Sequence, residues 1–169
     1  MGSLELVRLS VESNGMVKLV ALELRRRPAD AAATELVVAL FRARQAPPWL
    51  AALLLGSVRG PEGYAVAREI LLSAPGLLAE SYAGPAMARI LGRSSRPDLV
   101  AILCGDWPKR TCEGAANGLA ELHDPEVVDD VLRAVSSHWG PFAHGPRPGD
   151  LGTMSPFSTA SRQFSGVSS

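Results

Sequence analysis

Two cysteines, three histidines and seventeen acids give this chain of 169 residues few ways to do chemistry, and their spacing removes most of them. Cys104, Cys112 and His123 are the nearest approach to a metal-ligand set, yet no pair has a chelating spacing, and small apolar packing for the cysteines with a turn position for His123 accounts for all three. The sequence therefore predicts no metal and no cofactor. It contains no nucleophile elbow and no phosphate loop. Asp129-Asp130 look like an acid pair, but neighbours on a helix point about 100° apart, which makes them a solvated face. No catalytic residue is predicted. The densest local cluster is "GDWPKRT" at 105–111, which combines an acid, a tryptophan and two bases. Trp107 and Arg110 are candidate partner contacts from it, the alternative for Trp107 being a cap over the core.

Fifteen of the 17 basic residues are arginine. Arg25, Arg26, Arg27, Arg59, Arg93 and Arg96 all fall just ahead of prolines that recur along the chain. If the chain is a stack of equal units, these turns line one edge, and the arginines form either a solvated rim or a strip that docks carboxylates through the guanidinium fork. The overall charge is zero, but residues 1–96 hold 12 bases against 8 acids, while 97–139 hold 3 against 8. The molecule is expected to be dipolar.

The elements that position these residues are announced by the prolines. "LELRRRP", "LGSVRGP", "LGRSSRP" and "LAELHDP" end at Pro28, Pro61, Pro97 and Pro125, with Leu22, Leu55, Leu91 and Leu119 each six residues earlier. The prolines are 33, 36 and 28 residues apart, and a fixed anchor at that period is the mark of a helical repeat. Each proline suits the first turn of a helix, where its missing N–H costs nothing. Ala115, Ala116, Leu119 and Leu122 before Pro125, and Val127, Val128, Val131, Leu132 and Val135 after it, have helical spacing. In the first unit, about 14–45, Leu19, Leu22, Leu36, Val37, Leu40 and Phe41 are expected to face inward. Pro47, Pro75 and Pro108 mark connections between units. Gly84-Pro85 is expected to split or kink its helix and so to explain the 36-residue spacing.

The stretch "KRTCEGAANGLAELHDPEVVDDVLRAV" resembles a HEAT repeat of the short bacterial type, also known as the phycobilisome-lyase HEAT-like repeat. "LLLGSVRGPEG" and "ILGRSSRPDLV" follow the pattern less closely, and the resemblance covers about residues 14–138. It implies an all-α fold, an α-solenoid of about four HEAT-like helix pairs over 1–139, used as a binding platform. Two other activities occur on similar repeats. Alkylpurine DNA glycosylases are HEAT-like and use Asp with Trp near the lesion, which Asp106-Trp107 and Trp49 echo, but duplex binding needs a basic excess that this chain lacks. A bilin-lyase-like subunit is suggested by the repeat's family name alone.

Residues 140–169 are rich in Gly, Pro, Ser and Thr with no period, and are expected to form a flexible tail in which Phe142, Phe157 and Phe164 could anchor a contact. Apolar runs such as "WLAALLLGSV" reach about half the roughly 20 residues of a bilayer crossing. With no leader pattern at the N-terminus, a cytoplasmic location is expected. Together these features predict a non-catalytic interaction module or adaptor that binds an acidic protein or peptide, with neither nucleic acid nor membrane as its partner.

Overall fold

The computed structural model describes residues 1–73 and 76–138. The connection expected at Pro75 and the tail expected over 140–169, with its three phenylalanines, lie outside the described residues. All regular structure among them is helical: α1 (Ser3–Glu12), α2 (Val17–Arg25), α3 (Ala31–Arg42), α4 (Pro48–Val58), α5 (Tyr64–Ser73), α6 (Leu77–Leu91), α7 (Arg96–Leu103), α8 (Lys109–Glu121) and α9 (Glu126–His138). No helix among them is long and apolar enough to cross a membrane.

The even-numbered helices pack in series, α2 on α4, α4 on α6 and α6 on α8. Odd helices lie beside them, with α1 against α3, α7 against α9, and α5 against both α4 and α6. Helix α4 is the centre of this arrangement. Its residues from Leu50 to Val58 are all buried, which is why its sequence has no polar face. Helix α1 precedes the first expected unit and buries Leu6, Val7 and Ser10 on the core. Its 3-4 spacing was there to be read.

The prolines open helices as expected, with local variations. Pro61 starts a 3-10 turn that runs into α5, Pro97 is the second residue of α7, and Pro125 immediately precedes α9. Pro28 stands further back, because Asp30 caps α3 by accepting from the Ala33 N–H at 3.0 Å. Helices α3, α4 and α8 end near Arg44, Arg59 and His123, each held in the left-handed region.

The leucine anchor holds in only half of its places. Leu55 and Leu119 are buried to 0% and 1% exposure, but Leu22 is 48% exposed and Leu91 36%. Leu19, expected inside, is 64% exposed. Cross-helix bonds show the correct register. Arg59 donates to the Arg27 carbonyl and Arg89 to Glu121, both across 32 residues, so the place equivalent to Leu55 and Leu119 on α6 is Met87, which is fully buried. Leu91 is one helical turn too late.

The reason is the length of α6. This helix continues unbroken through Gly84 and Pro85 over 15 residues, against 11 in α4 and 13 in α8. The split expected at Gly84-Pro85 does not occur, since α6 is packed by α4, α5 and α8 and that burial offsets the hydrogen bond Pro85 removes. Extra helix, not a break, delays Pro97. Gly84 serves the packing. A Cβ there would lie 1.8 Å from the Gly114 carbonyl oxygen, and one on Gly118 would lie 2.6 Å from the Gly84 oxygen. Helices α6 and α8 thus cross with their backbones in contact.

Gly84→Ala should accordingly be among the most damaging single changes, at or beyond the upper end of the roughly 1–3 kcal/mol typical of overpacking, despite alanine's helix propensity. Urea melts giving a loss below about 0.5 kcal/mol would remove the backbone contact as a constraint. Leu55→Ala and Leu119→Ala should each cost about 2–5 kcal/mol, and Leu91→Ala well under half of that. Equal losses at all three would restore the leucine register.

Candidate functional site

The turn arginines do not form one free strip. Arg27 bonds to Glu23 and to the Met1 carbonyl, which ties α2 to the N-terminus. Arg59 spends its guanidinium on the Arg27 carbonyl. Arg93 meets Asp124 at 3.2 Å, an acid whose side chain is only 4% exposed and whose other oxygen accepts from the Glu126 N–H. Arg96 is shared between Glu126 at 2.6 Å and Asp130 at 2.8 Å, linking α7 to α9. Charge reversal at Arg59 or Arg93, which an open docking strip would tolerate, therefore attacks folding contacts. Arg26, with its side chain 71% exposed, has only a 4.0 Å pair with Glu23.

The bonds that join helices through a carboxylate share a direction. Arg42 grips Glu69 through two contacts of 2.6 and 2.8 Å, Arg68 and Tyr64 both bond Asp98, and Arg89 bonds Glu121. In every case the donor comes 27 to 34 residues before its acceptor. Burial, and then the Asp98 carboxylate, raise the Tyr64 phenol well above its ordinary range, so Tyr64 stays a hydrogen-bond donor at any physiological pH.

Arg25 differs from the others. It lies half-buried at the end of α2, within electrostatic reach of Tyr82 and Arg89 on α6 and of Glu121 on α8. Burial first, and then the Arg89 cation, lower its proton affinity, while Glu121 acts the other way. Its Nε is sealed from solvent without an acceptor. Arg89 is fully engaged on its own side edge, giving 2.8 Å bonds from Nε and Nη2 to the two Glu121 oxygens. Leu22 lies one turn before Arg25 on α2, and Leu78 one turn before Tyr82 on α6. Both leucines are about half exposed. Leu22 was expected in the core, and Leu78, Tyr82, Arg89 and Glu121 do not stand out in the sequence. Arg89 and Glu121 each stand two residues after the buried anchor of their helix, so the misplaced Leu91 register hid their equivalence.

The "GDWPKRT" residues separate from this face. Trp107 is 41% exposed and folds over Gly105 of its own loop, while its carbonyl lies 3.6 Å from the Cys112 thiol. Burial pushes that thiol above its usual range. Arg110 is exposed and faces Glu80 of α6, a 9% exposed carboxyl with one oxygen unpartnered. No group of three or more metal-ligating side chains occurs among the described residues. The hollow of about 540 Å³ between α3, α4 and α5 is lined by Phe41, Arg42 and Glu69 and contains none of the predicted site residues. No family model matches the chain, and no curated protein or solved structure matches it.

Burial raises the pKa of Glu80 against the weaker pull of Arg110. A carboxyl raised on folding binds its proton more tightly in the native state, so it favours folding at low pH and opposes it as pH climbs through the raised value. Glu80→Gln should match the wild type in urea melts near about pH 4 and be the more stable of the two near about pH 8. Equal stability at the higher pH would show that Glu80 is well solvated.

Proposed function

We propose that the chain is a short α-solenoid of four HEAT-like helix pairs, with α1 as an added cap, that works as a non-catalytic adaptor for an acidic protein or peptide. The serial packing of the even helices and the recurrence of cross-helix bonds at 30, 32 and 34 residues support the solenoid reading. Each layer repeats the contacts of the last. The observation that carries the binding role is the pair of exposed leucines, Leu22 and Leu78, each one helical turn before a member of the pair Arg25 and Tyr82. Large apolar side chains left half in water next to unspent positive charge are characteristic of docking surfaces. The arginines of the turns hold the layers together in this reading, and the partner-facing set becomes Leu22, Arg25, Leu78 and Tyr82.

Photo-crosslinking tests the role directly. A photoreactive phenylalanine analogue placed at Leu22 or Leu78, in cells of the source organism, should give one discrete partner adduct. The same probe at the exposed Glu62, on the turn before α5, should not. Leu22→Asp with Leu78→Asp should abolish capture while leaving the helical circular-dichroism signal intact, because both side chains are exposed. Adducts of equal yield from all three positions would reject this face as the docking surface.

A further inference from the structure

The hollow between α3, α4 and α5 has walls that the chain fixes by itself. Helix α3 ends there in a left-handed turn, in which the Arg44 N–H bonds the Phe41 carbonyl and the Gln45 and Ala46 N–H groups both bond the Leu40 carbonyl. Arg44 is the left-handed residue of that turn, with φ 59°, a place where glycine is favoured because it has no Cβ. Pro47 and Pro48 follow, and their rings fix the backbone that leads into α4. Glu69 of α5 holds Arg42 by two bonds of 2.8 and 2.6 Å, and the Arg42 guanidinium lies 5.8 Å from the centre of the Phe41 ring. The hollow of about 540 Å³ is lined by Phe41, Arg42, Arg44, Pro47, Pro48 and Glu69. Its size falls in the range of roughly 300–1,000 Å³ usual for small-molecule sites.

We propose that this hollow binds a small aromatic carboxylate, with the acid on Arg44 and the ring against Phe41 and the two prolines. Charge selects the acid. Two cations and one carboxylate line the hollow, and both Glu69 oxygens are already taken by Arg42, so one positive charge is left over. It belongs to Arg44, whose side chain has no hydrogen bond or ion pair among the described residues. Arg59 has the same left-handed conformation at the end of α4, but its guanidinium is spent on the Arg27 carbonyl. A cation kept at position 44, where glycine would suit the backbone better and no contact of the fold uses the charge, points to a ligand. The walls select the ring. One phenyl and two pyrrolidine rings offer apolar surface that an aromatic body covers and an inorganic anion leaves wet. The Arg44 fork can give the carboxylate two parallel bonds. None of Leu22, Arg25, Leu78 and Tyr82 lines this hollow, and the inference does not depend on the docking reading.

The experiment uses the full chain and two probes of one shape, 2-naphthoate and its uncharged amide 2-naphthamide, titrated by isothermal calorimetry. The wild type should bind the naphthoate more tightly by about tenfold or more, as a charge-assisted bond implies. Arg44→Gly and Arg44→Asn, both suited to the left-handed region, should bring the two affinities together without lowering the melting temperature. Phe41→Leu should weaken both probes by a similar factor and so keep their ratio. Arg26→Gln, which alters an exposed cation elsewhere, and Leu22→Asp, on the docking face, should leave both affinities as they are. Benzoate should displace the naphthoate better than inorganic phosphate does at equal ionic strength. Equal affinities for the two probes in the wild type, or none measurable, overturn the proposal, as does an undiminished preference in both Arg44 variants. A lower melting temperature in both variants would make Arg44 a part of the fold and remove the reason for a ligand. Displacement by phosphate as readily as by benzoate would show that the walls select nothing, and loss of naphthoate binding in Leu22→Asp would place the probe on the docking face instead. Either result rejects the site, whereas the docking face is tested separately by the crosslinks.

Discussion

The contact on which the other features depend is the crossing of α6 and α8 at Gly84, Gly114 and Gly118. Backbone meets backbone there, with no room for a methyl group on any of the three glycines. Side chains normally keep helix axes about 8–10 Å apart, and removing them lets the axes approach more closely. The close approach brings Arg89 to Glu121 and sets α8 deep enough to bury Leu119 and Ala115. A smaller version recurs at the preceding crossing, where a Cβ on Gly56 of α4 would lie 2.9 Å from the Cα of Ala86. Small residues at successive crossings let a chain with only 5% aromatic residues fill its interior with Ala, Leu and Val.

A second constraint follows from the direction of the ion pairs. Arg42, Arg68, Arg89, Arg93 and Arg96 each reach forward to an acid on a later helix, and the last four take their acids from beyond residue 97. That direction matches the basic excess in residues 1–96 and the acidic excess in 97–139. The dipole visible in the sequence is therefore a record of assembly as much as of any partner. Most of these pairs are partly exposed, and singly each contributes little, roughly 0–1 kcal/mol. Their larger effect is on register. An arginine that finds its acid only when adjacent helices are correctly aligned penalises a slip by one turn, which matters where the core is built from interchangeable alanines and leucines.

Helix content and pairing were legible in the sequence because prolines and 3-4 spacing are local signals. Pro61, Pro97 and Pro125 could all be read from a few neighbouring residues. The depth of each helix was not legible in the same way. Leu22 and Leu91 have the same local surroundings as Leu55 and Leu119, and they differ only in what lies across from them: α2 has no even-numbered helix before it, and α6 is longer than its neighbours. The site was obscured for the same reason. Arginines in turns are conspicuous in a sequence, yet a turn arginine with an acid one unit later is spent on the fold, and Arg93 and Arg96 are spent in this way. Arg25 was named among the candidates, but nothing local separated it from Arg26 and Arg27.

Ser57 shows how the burial of α4 limits the pattern of ion pairs. Arg89 and Glu121 stand two residues beyond the buried Met87 and Leu119 of their helices, and there the pair closes. The position two beyond Leu55 on α4 is Ser57, fully buried between Gly56 and Val58. A charged side chain held there without full pairing would be costly to desolvate. Serine avoids that cost by bonding the Leu53 carbonyl of its own helix. The kind of ion pair that aligns α6 with α8 therefore cannot form at position 57, and alignment there rests on the fit of small residues, with Gly56 set against Ala86.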